Sequence, residues 1–420
     1  MGIRWGMVAI ALAAFGCKSG KEAPSSSPPA TAKTPATAKT EQGEVAPAPA
    51  LTWYRAELDF GKRGPLPFFL ALPDASGEGV LQNGEEPTPV DVTWSGDVVK
   101  IVPRVSWISE LSATRAADGT LTGSFVRDFP LWSRVERALT AKVVPEVKPS
   151  DRFAGETAPA ADVSGTWKFD FKEHRLGKGK LVMTSDGAVT GFIRPGALGD
   201  LRFLAGEVQG KKLLLSQFNG NAANLVTAEL SADGKKLTGT MSMYDVWNEP
   251  FTATRSEDFE YGNRVTLKRG ATKLALPQLE KYRGKPVVLV FFATWCPSCN
   301  DATPFLVELE QKFAPRGVSF LSIAMDLSDD QATLEREVAK FKERHKVPWE
   351  VVAVPTTPER WKDDMPPEIE GWMGYPITVF IKPDGTIHTT YGGWFGPAAK
   401  DENAKLRAQF EAWTDELTRG

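Results

Sequence analysis

Hydrophobic and polar positions along this chain form two textures. Between about 51 and 256, apolar and polar residues alternate in short segments, among them 53–60, 98–102, 165–171, 179–183, 189–193 and 212–216. Gly, Asp and Pro divide them, and Asp118-Gly119, Asp186-Gly187 and Asp233-Gly234 are hairpin turn signals. A period of two with closely spaced turns predicts antiparallel all-β structure, a small barrel or a sandwich. From about residue 263 the apolar residues form unbroken runs instead. Residues 287–292 and 318–325 read as strands buried on both faces, the habit of parallel sheet. Helical spacing follows each run. Phe305, Leu306, Leu309 and Phe313 mark one helix, and Leu334, Val338 and Phe341 a second, opened by a capping-box signal at Ser328 and Gln331 and running to about Arg344. Residues 349–354 predict a strand and 355–371 a loop. Residues 377–381 and 386–391, around Pro383-Asp384-Gly385, predict a hairpin, and Leu406, Phe410, Trp413 and Leu417 the face of a closing helix. The order is β-α-β-α-β-β-α.

The β region contains a diverged repeat. Leu111-Ser112-Ala113-Thr114, then Asp118-Gly119 and Leu121-Thr122-Gly123, is echoed by Ala228-Glu229-Leu230-Ser231, then Asp233-Gly234 and Leu237-Thr238-Gly239. Trp132 and Leu139-Thr140-Ala141 are echoed by Trp247 and Phe251-Thr252-Ala253. Two related β modules are expected, at 51–145 and 160–256, with a Pro- and Ala-containing joint between them. Trp94, Trp107, Trp132, Trp167 and Trp247 read as packing residues, with a peptide- or ligand-binding groove as the alternative. His174, in a charged stretch, reads as a loop histidine.

At 420 residues the chain has room for two or three domains. Its 50 basic and 53 acidic side chains nearly cancel, which argues against a nucleic-acid partner. Residues 1–16 read as an export signal: Arg4 is basic, a short apolar core follows, and Ala14-Phe15-Gly16 precedes Cys17. The core is too short for a bilayer, which takes about 20 apolar residues. With Cys17 at the cut the segment resembles a bacterial lipoprotein signal, which implies lipidation of Cys17 and attachment to a membrane; a soluble exported product is the alternative. Residues 17–50, rich in Pro, Ala, Ser and Thr, read as a disordered tether.

The chemistry concentrates at 287–299. A buried strand leads into Trp295-Cys296-Pro297-Ser298-Cys299 and then into a helix, so Cys296 falls at the helix start. Unpaired helix N–H groups and the positive end of the helix dipole favour a thiolate there. Cys296 is the expected nucleophile. Cys299, one turn on and more buried, is placed to resolve a mixed disulfide on Cys296. The chain has only three cysteines, and no clustered histidines, so a zinc site lacks ligands. A permanent structural disulfide is the other bland reading.

Gly284-Lys285-Pro286-Val287, the Cys296-Pro297-Ser298-Cys299 pair, Pro304 inside the following helix and Gly374-Tyr375-Pro376-Ile377-Thr378 together resemble the thioredoxin superfamily, nearest to its TlpA-like envelope disulfide oxidoreductases. The resemblance covers 263–420. It implies an α/β thioredoxin-like domain after the β modules, a cis bond before Pro376, and a substrate-binding rim of Trp295, Pro297, Tyr375 and Pro376. It implies no cofactor, since the cysteines carry the electrons. The partners implied are a disulfide-containing exported protein or peptide and an upstream thiol donor, in the periplasm-facing envelope of a bacterium. Many relatives hold a buried acid six residues before the first cysteine, where this chain has Val290. TlpA-like proteins often use an acid after the next strand instead, which nominates Asp326, then Glu350. His345 and His388 look too isolated to nominate. Two alternatives stay open: a binding or assembly lipoprotein whose β modules carry the function, and a peroxiredoxin-like thiol peroxidase. The second is suggested by Thr294, which however lies two residues before the cysteine, where peroxiredoxins place theirs three before.

Overall fold

The computed structural model describes residues 50–420 except 106–107, 130–132, 149–151, 154, 156, 161, 173–174, 196–200, 258–262, 264, 329, 373 and 420. The expected signal, the tether up to residue 49 with Cys17, and Trp107, Trp132 and His174 lie outside the described residues.

The all-β region consists of two closed eight-stranded barrels, so the barrel alternative holds over the sandwich. The first comprises β1 (Leu51–Asp59), β2 (Pro65–Pro73), β3 (Gly77–Asn83), β4 (Glu86–Ser95), β5 (Val98–Pro103), β6 (Ser109–Arg115), β7 (Leu121–Phe129) and β8 (Ser133–Val143). Each strand pairs antiparallel with the next, and β8 closes on β1 with Leu139 opposite Leu58. In β4 the period of two is plain: Val90 and Val92 point inward, Asp91 and Thr93 outward. The second comprises β9 (Gly165–Phe171), β10 (Arg175–Met183), β11 (Ala188–Pro195), β12 (Leu201–Gln209), β13 (Lys212–Phe218), β14 (Ala223–Leu230), β15 (Lys236–Met243) and β16 (Trp247–Arg255). It closes in the same way, with Phe251 of β16 opposite Phe171 of β9.

The repeat falls on equivalent places in the two barrels. Its first part covers the β6–β7 hairpin in one and the β14–β15 hairpin in the other, and its second part the closing strands β8 and β16. It also preserves a close approach. A Cβ on Gly123 would lie 1.9 Å from the Ser112 carbonyl oxygen, and one on Gly239 would lie 2.1 Å from that of Thr227. Gly123→Ala and Gly239→Ala are each expected to cost about 1–3 kcal/mol, because backbone must move to admit the methyl. Urea unfolding of the full chain reads this, and an unchanged midpoint in both variants would show that the strands separate freely. Trp167 is fully buried in the second barrel. Trp94 is half-buried under the Arg115 guanidinium and donates to the Pro73 carbonyl.

The barrels are fused by the β13–β14 hairpin. Phe218, Ala223 and Leu225 sit in the core of the first barrel, with the Phe218 ring 4.4 Å from Phe68 and 5.0 Å from Phe125. Arg152, from the joint, is buried between the barrels. It donates to Ser216 Oγ at 2.7 Å and Asn83 Oδ1 at 2.8 Å, and burial pushes its pKa down to about 9.

The C-terminal part is thioredoxin-like. Short β17 (Thr266–Leu267) pairs with β21 (Ile369–Glu370). The main sheet runs β20 (Glu350–Thr356), β19 (Ser319–Leu327), β18 (Val287–Phe292), β22 (Ile377–Ile381), β23 (Ile387–Gly392). Strands β18, β19 and β20 are parallel, and β22 runs antiparallel to β18. The unbroken apolar run of β18 has a reason in its two faces. Val288, Val290 and Phe292 pack under helices α1 (Pro297–Phe313), α2 (Gln331–His345) and α3 (Asp401–Leu417), while Val287, Leu289 and Phe291 pack under Val265, Met365 and Ile369. One expectation needs correcting. The N-cap of α2 is Asp330, whose carboxylate accepts from the Ala332 N–H, and Ser328 instead hydrogen-bonds Asp330 itself. An aspartate directly before the first turn reaches its N–H groups, and Ser328 is too early.

The second barrel is seated on this domain. Phe192 enters its core, 6.0 Å from Phe395, Arg194 donates to the Gly392 carbonyl at 2.7 Å, and Lys178 pairs with Glu402 at 2.8 Å.

Candidate active site

Strand β18 ends at the centre of the sheet, and the chain turns through Ala293-Thr294-Trp295 into α1. Cys296 is the N-cap of that helix, and its Sγ lies 3.2 Å from the Cys299 nitrogen, within reach of that N–H. A cap position suits an acceptor because the first-turn N–H groups have no helical partner, and a thiolate is a stronger acceptor than a thiol. Cys296 and Cys299 form a disulfide with Cα atoms 5.2 Å apart. Both cysteines are buried, Cys296 at 6% exposed less completely than Cys299 at 1%, so the first is the easier to reach.

The Tyr375–Pro376 peptide is cis, and the Tyr375 carbonyl oxygen lies 3.8 Å from Cys296 Sγ. Pro376 and Cys299 line one apolar pocket behind the disulfide, together with Val290 and Trp349. Trp295 is half-buried and packs against Ile108 of the first barrel and Leu327, and Trp361 packs against the same pair. Trp361, from the 355–371 segment, meets Trp372 at 4.9 Å, and Trp372 stacks on Tyr375 at 6.3 Å. Tyr375 and Pro376 thus lie beside the disulfide, and with Trp295 and Pro297, which flank Cys296 in the chain, they mark the expected rim.

Asp326, near the end of β19, is fully buried beneath this rim. The Thr294 N–H donates to its Oδ1 at 3.0 Å, and Thr294 Oγ1 lies 3.2 Å from the same oxygen. Burial pushes its pKa up to about 7, against the lowering effect of the Thr294 hydrogen bonds. Such a group is part carboxylate and part acid near neutrality, which suits proton exchange. The same charge helps burial to raise the Tyr375 phenol, whose oxygen has no hydrogen-bond partner among the described residues.

Glu350 is removed from consideration by its position. It opens β20 at the end of the sheet far from the cysteines, where it pairs with Lys281 and accepts from Tyr282 at 2.9 Å. His345 is less isolated than its sequence neighbourhood implies. Its Nε2 lies 2.8 Å from Asn300 Oδ1, and Asn300 Nδ2 donates to the carbonyls of Thr294 at 3.1 Å and Cys296 at 2.9 Å. Burial, then Arg344, pushes its pKa down to about 4, so it is neutral at working pH and bonds Asn300 as an N–H donor. His388 pairs with Glu416 on α3. Asn300, Arg202 and Asn221, which contact the backbone around Cys296, carry no sequence signal beyond Asn300 standing next to Cys299.

Fold and site together define a thioredoxin-like domain carrying a dithiol–disulfide pair. Comparisons with known proteins narrow the class. Residues 264–411 match the model of the AhpC/TSA family. The thiol-disulfide oxidoreductase ResA of Oceanobacillus iheyensis is 25% identical over 116 residues, 28% of this chain and 54% of the relative. ResA of Bacillus thuringiensis subsp. konkukian is 35% identical over 80 residues, 18% of this chain and 44% of the relative. The chain spans about half the length of the curated relatives it matches. Among solved structures, a secreted Mycobacterium tuberculosis disulfide oxidoreductase homologous to E. coli DsbE aligns at 20% identity with a TM-score of 0.24, over 32% of this chain and 84% of that one. In sequence the C-terminal part is thus similar to curated thiol-disulfide oxidoreductases over about half their length. No helix of the described residues is long and apolar enough to cross a membrane.

Proposed function

We propose that this protein is a thiol-disulfide oxidoreductase of the bacterial cell envelope that reduces disulfides in exported proteins. The observation that carries the reading is the Cys296–Cys299 pair at the start of α1, set against the Tyr375–Pro376 loop. In the reduced protein the Cys296 thiolate attacks a client disulfide. One client sulfur leaves as a thiolate and takes a proton, and the other stays bonded to Cys296. Cys299 then loses its proton, with Asp326 as the nominated acceptor, and attacks Cys296 Sγ. The second client thiol is released and the Cys296–Cys299 disulfide forms. Two electrons pass to the client, and an upstream thiol donor returns them. Trp295, Pro297, Tyr375 and Pro376 form the client-binding rim, with the Tyr375 backbone next to Cys296 as the proposed partner for an extended client peptide.

Cys17 is the proposed lipid attachment point, which would hold the folded part near a membrane at the end of a tether. Cys17→Ser is expected to move the protein from the membrane to the soluble envelope fraction; retention in the membrane would remove the anchor from the proposal.

The AhpC/TSA match keeps the thiol peroxidase reading in view. Against it, Thr294 stands two residues before Cys296 where peroxiredoxins place theirs three before, and its Oγ1 is taken up by Asp326. Thiol-driven reduction of a protein disulfide and consumption of hydrogen peroxide, measured on the same full-chain sample, separate the two. Disulfide reduction well above peroxide turnover is expected, and the reverse would reassign the site.

A further inference from the structure

Two carbonyl oxygens flank Cys296 in the chain, those of Trp295 and Pro297, and both accept hydrogen bonds from the second barrel. Asn221 Nδ2, at the tip of the β13–β14 hairpin, donates to Trp295 O at 2.9 Å. Arg202 Nη1, on β12, donates to Pro297 O at 3.1 Å. Arg202 is 4% exposed, and its guanidinium pairs with Asp301 on α1 and with Glu86 on the first barrel. Burial alone would drive this guanidinium toward neutrality, and Asp301 and Glu86 more than reverse the tendency. All three parts of the molecule thus meet in one buried charge cluster beside the residue that follows Cys296. Exposed ion pairs are worth at most about 1 kcal/mol and would suffice for simple docking. A buried cluster acts in a lower dielectric, so its field on a neighbouring anion is stronger.

We propose that the second barrel is part of the redox site, with Arg202 a positioning residue that holds the Pro297 turn and, balanced by Glu86 and Asp301, sets how readily Cys296 ionises. The proposal rests on the oxidoreductase reading and extends it to the role of the barrels. The other charged or titratable groups around Cys296 among the described residues are Asp326 beneath Thr294, Tyr375 on the facing loop, His345 and Arg344 behind Asn300, and Arg127 of the first barrel, which donates to Asn221 Oδ1. Arg202 differs from Arg127 in bonding the peptide next to Cys296 directly. Removing the guanidinium leaves two carboxylates beside a forming thiolate and makes ionisation harder. Removing either carboxylate takes the cluster from a net single negative charge to neutrality and makes it easier. A purely structural role would not reverse sign between these changes.

The test uses the full chain, reduced, in a Cys17→Ser background. Iodoacetamide alkylation of Cys296 is followed by mass spectrometry across pH. Arg202→Gln is expected to slow alkylation at pH 7 about tenfold, corresponding to a rise of one pH unit in the midpoint. Arg202→Lys should recover most of the rate, and Glu86→Gln and Asp301→Asn should each raise it. If Arg202→Gln fails to fold, the two carboxylate variants, which keep the guanidinium, decide the sign. No change, or a fall in all the variants, overturns the proposal. Alkylation needs no client, so it reports independently of protein-disulfide reduction. A wild-type chain that reduces no disulfide would sink the oxidoreductase reading, whereas an active wild type with flat alkylation in every variant would sink the barrel proposal alone.

Discussion

Cys299→Ser is expected to convert the protein into a trap, with client proteins held on Cys296 as mixed disulfides that appear as thiol-sensitive bands on non-reducing gels. The direction follows from the site. Cys296 caps α1 with the Cys299 N–H aimed at its sulfur, and it is the more exposed of the pair at 6% against 1%. The thiolate that forms first, and that a client can reach, is therefore on Cys296. With serine at 299 the first exchange still runs, but no second sulfur is present to displace the client. Net disulfide reduction should fall by at least about 10³-fold in either cysteine variant, since two groups that act as a unit are each indispensable. Only Cys299→Ser should accumulate the covalent complexes, and Cys296→Ser should form none. Trapping by Cys296→Ser at comparable yield would exchange the two roles and remove the helix-cap argument with them.

How much of this was legible in the sequence depended on how local the signal was. The 287–299 stretch announced itself because one short segment holds the buried strand, the helix start and both sulfurs. The β modules were legible as antiparallel segments, and their echoes mark equivalent hairpins, since Gly123 and Gly239 answer the same local crowding. Barrel closure was not, because it depends on β1 meeting β8 and β9 meeting β16, pairings that no neighbouring residues encode. The same holds for the contacts around Cys296. Asn221 and Arg202 lie 74 and 95 positions from the carbonyls they hold. His345 looked isolated for the same reason, since Asn300, which links it to the Cys296 backbone, lies 45 positions away. Asp326 and Glu350 looked alike on paper, as acids near strands. The parallel register separates them, with Glu350 opposite Leu321 at one end of β19 and Asp326 near the other end, beside Thr294.

Asp326→Asn has two expected effects, and their pH dependence distinguishes a proton acceptor from a packing residue. Asp326 is buried with its pKa raised to about 7, from an ordinary 3.8. Between those values the folded protein binds a proton that the unfolded chain releases, so stability falls as pH rises through this window and is lowest above it. Asparagine keeps an oxygen for the Thr294 N–H and carries no charge. Compared with wild type in urea, the variant should therefore lack this group's loss of stability between pH 4 and 8, keep the opposite rise that neutral, buried His345 gives both proteins, and be more stable than wild type at pH 8 by about 1–3 kcal/mol. Activity should move the opposite way. A base that must be ionised to take the Cys299 proton gives a reduction rate that climbs as pH passes about 7, and its loss typically costs about 10²-fold or more. Asp326→Asn should lower the rate by that order and erase the rise. A variant that gains stability at pH 8 yet keeps both the rate and its pH profile would show that Asp326 only supports the Thr294 turn, and that water or another group receives the proton. Because the stabilising and slowing effects have opposite signs, a slow variant could not be explained by damage to the fold.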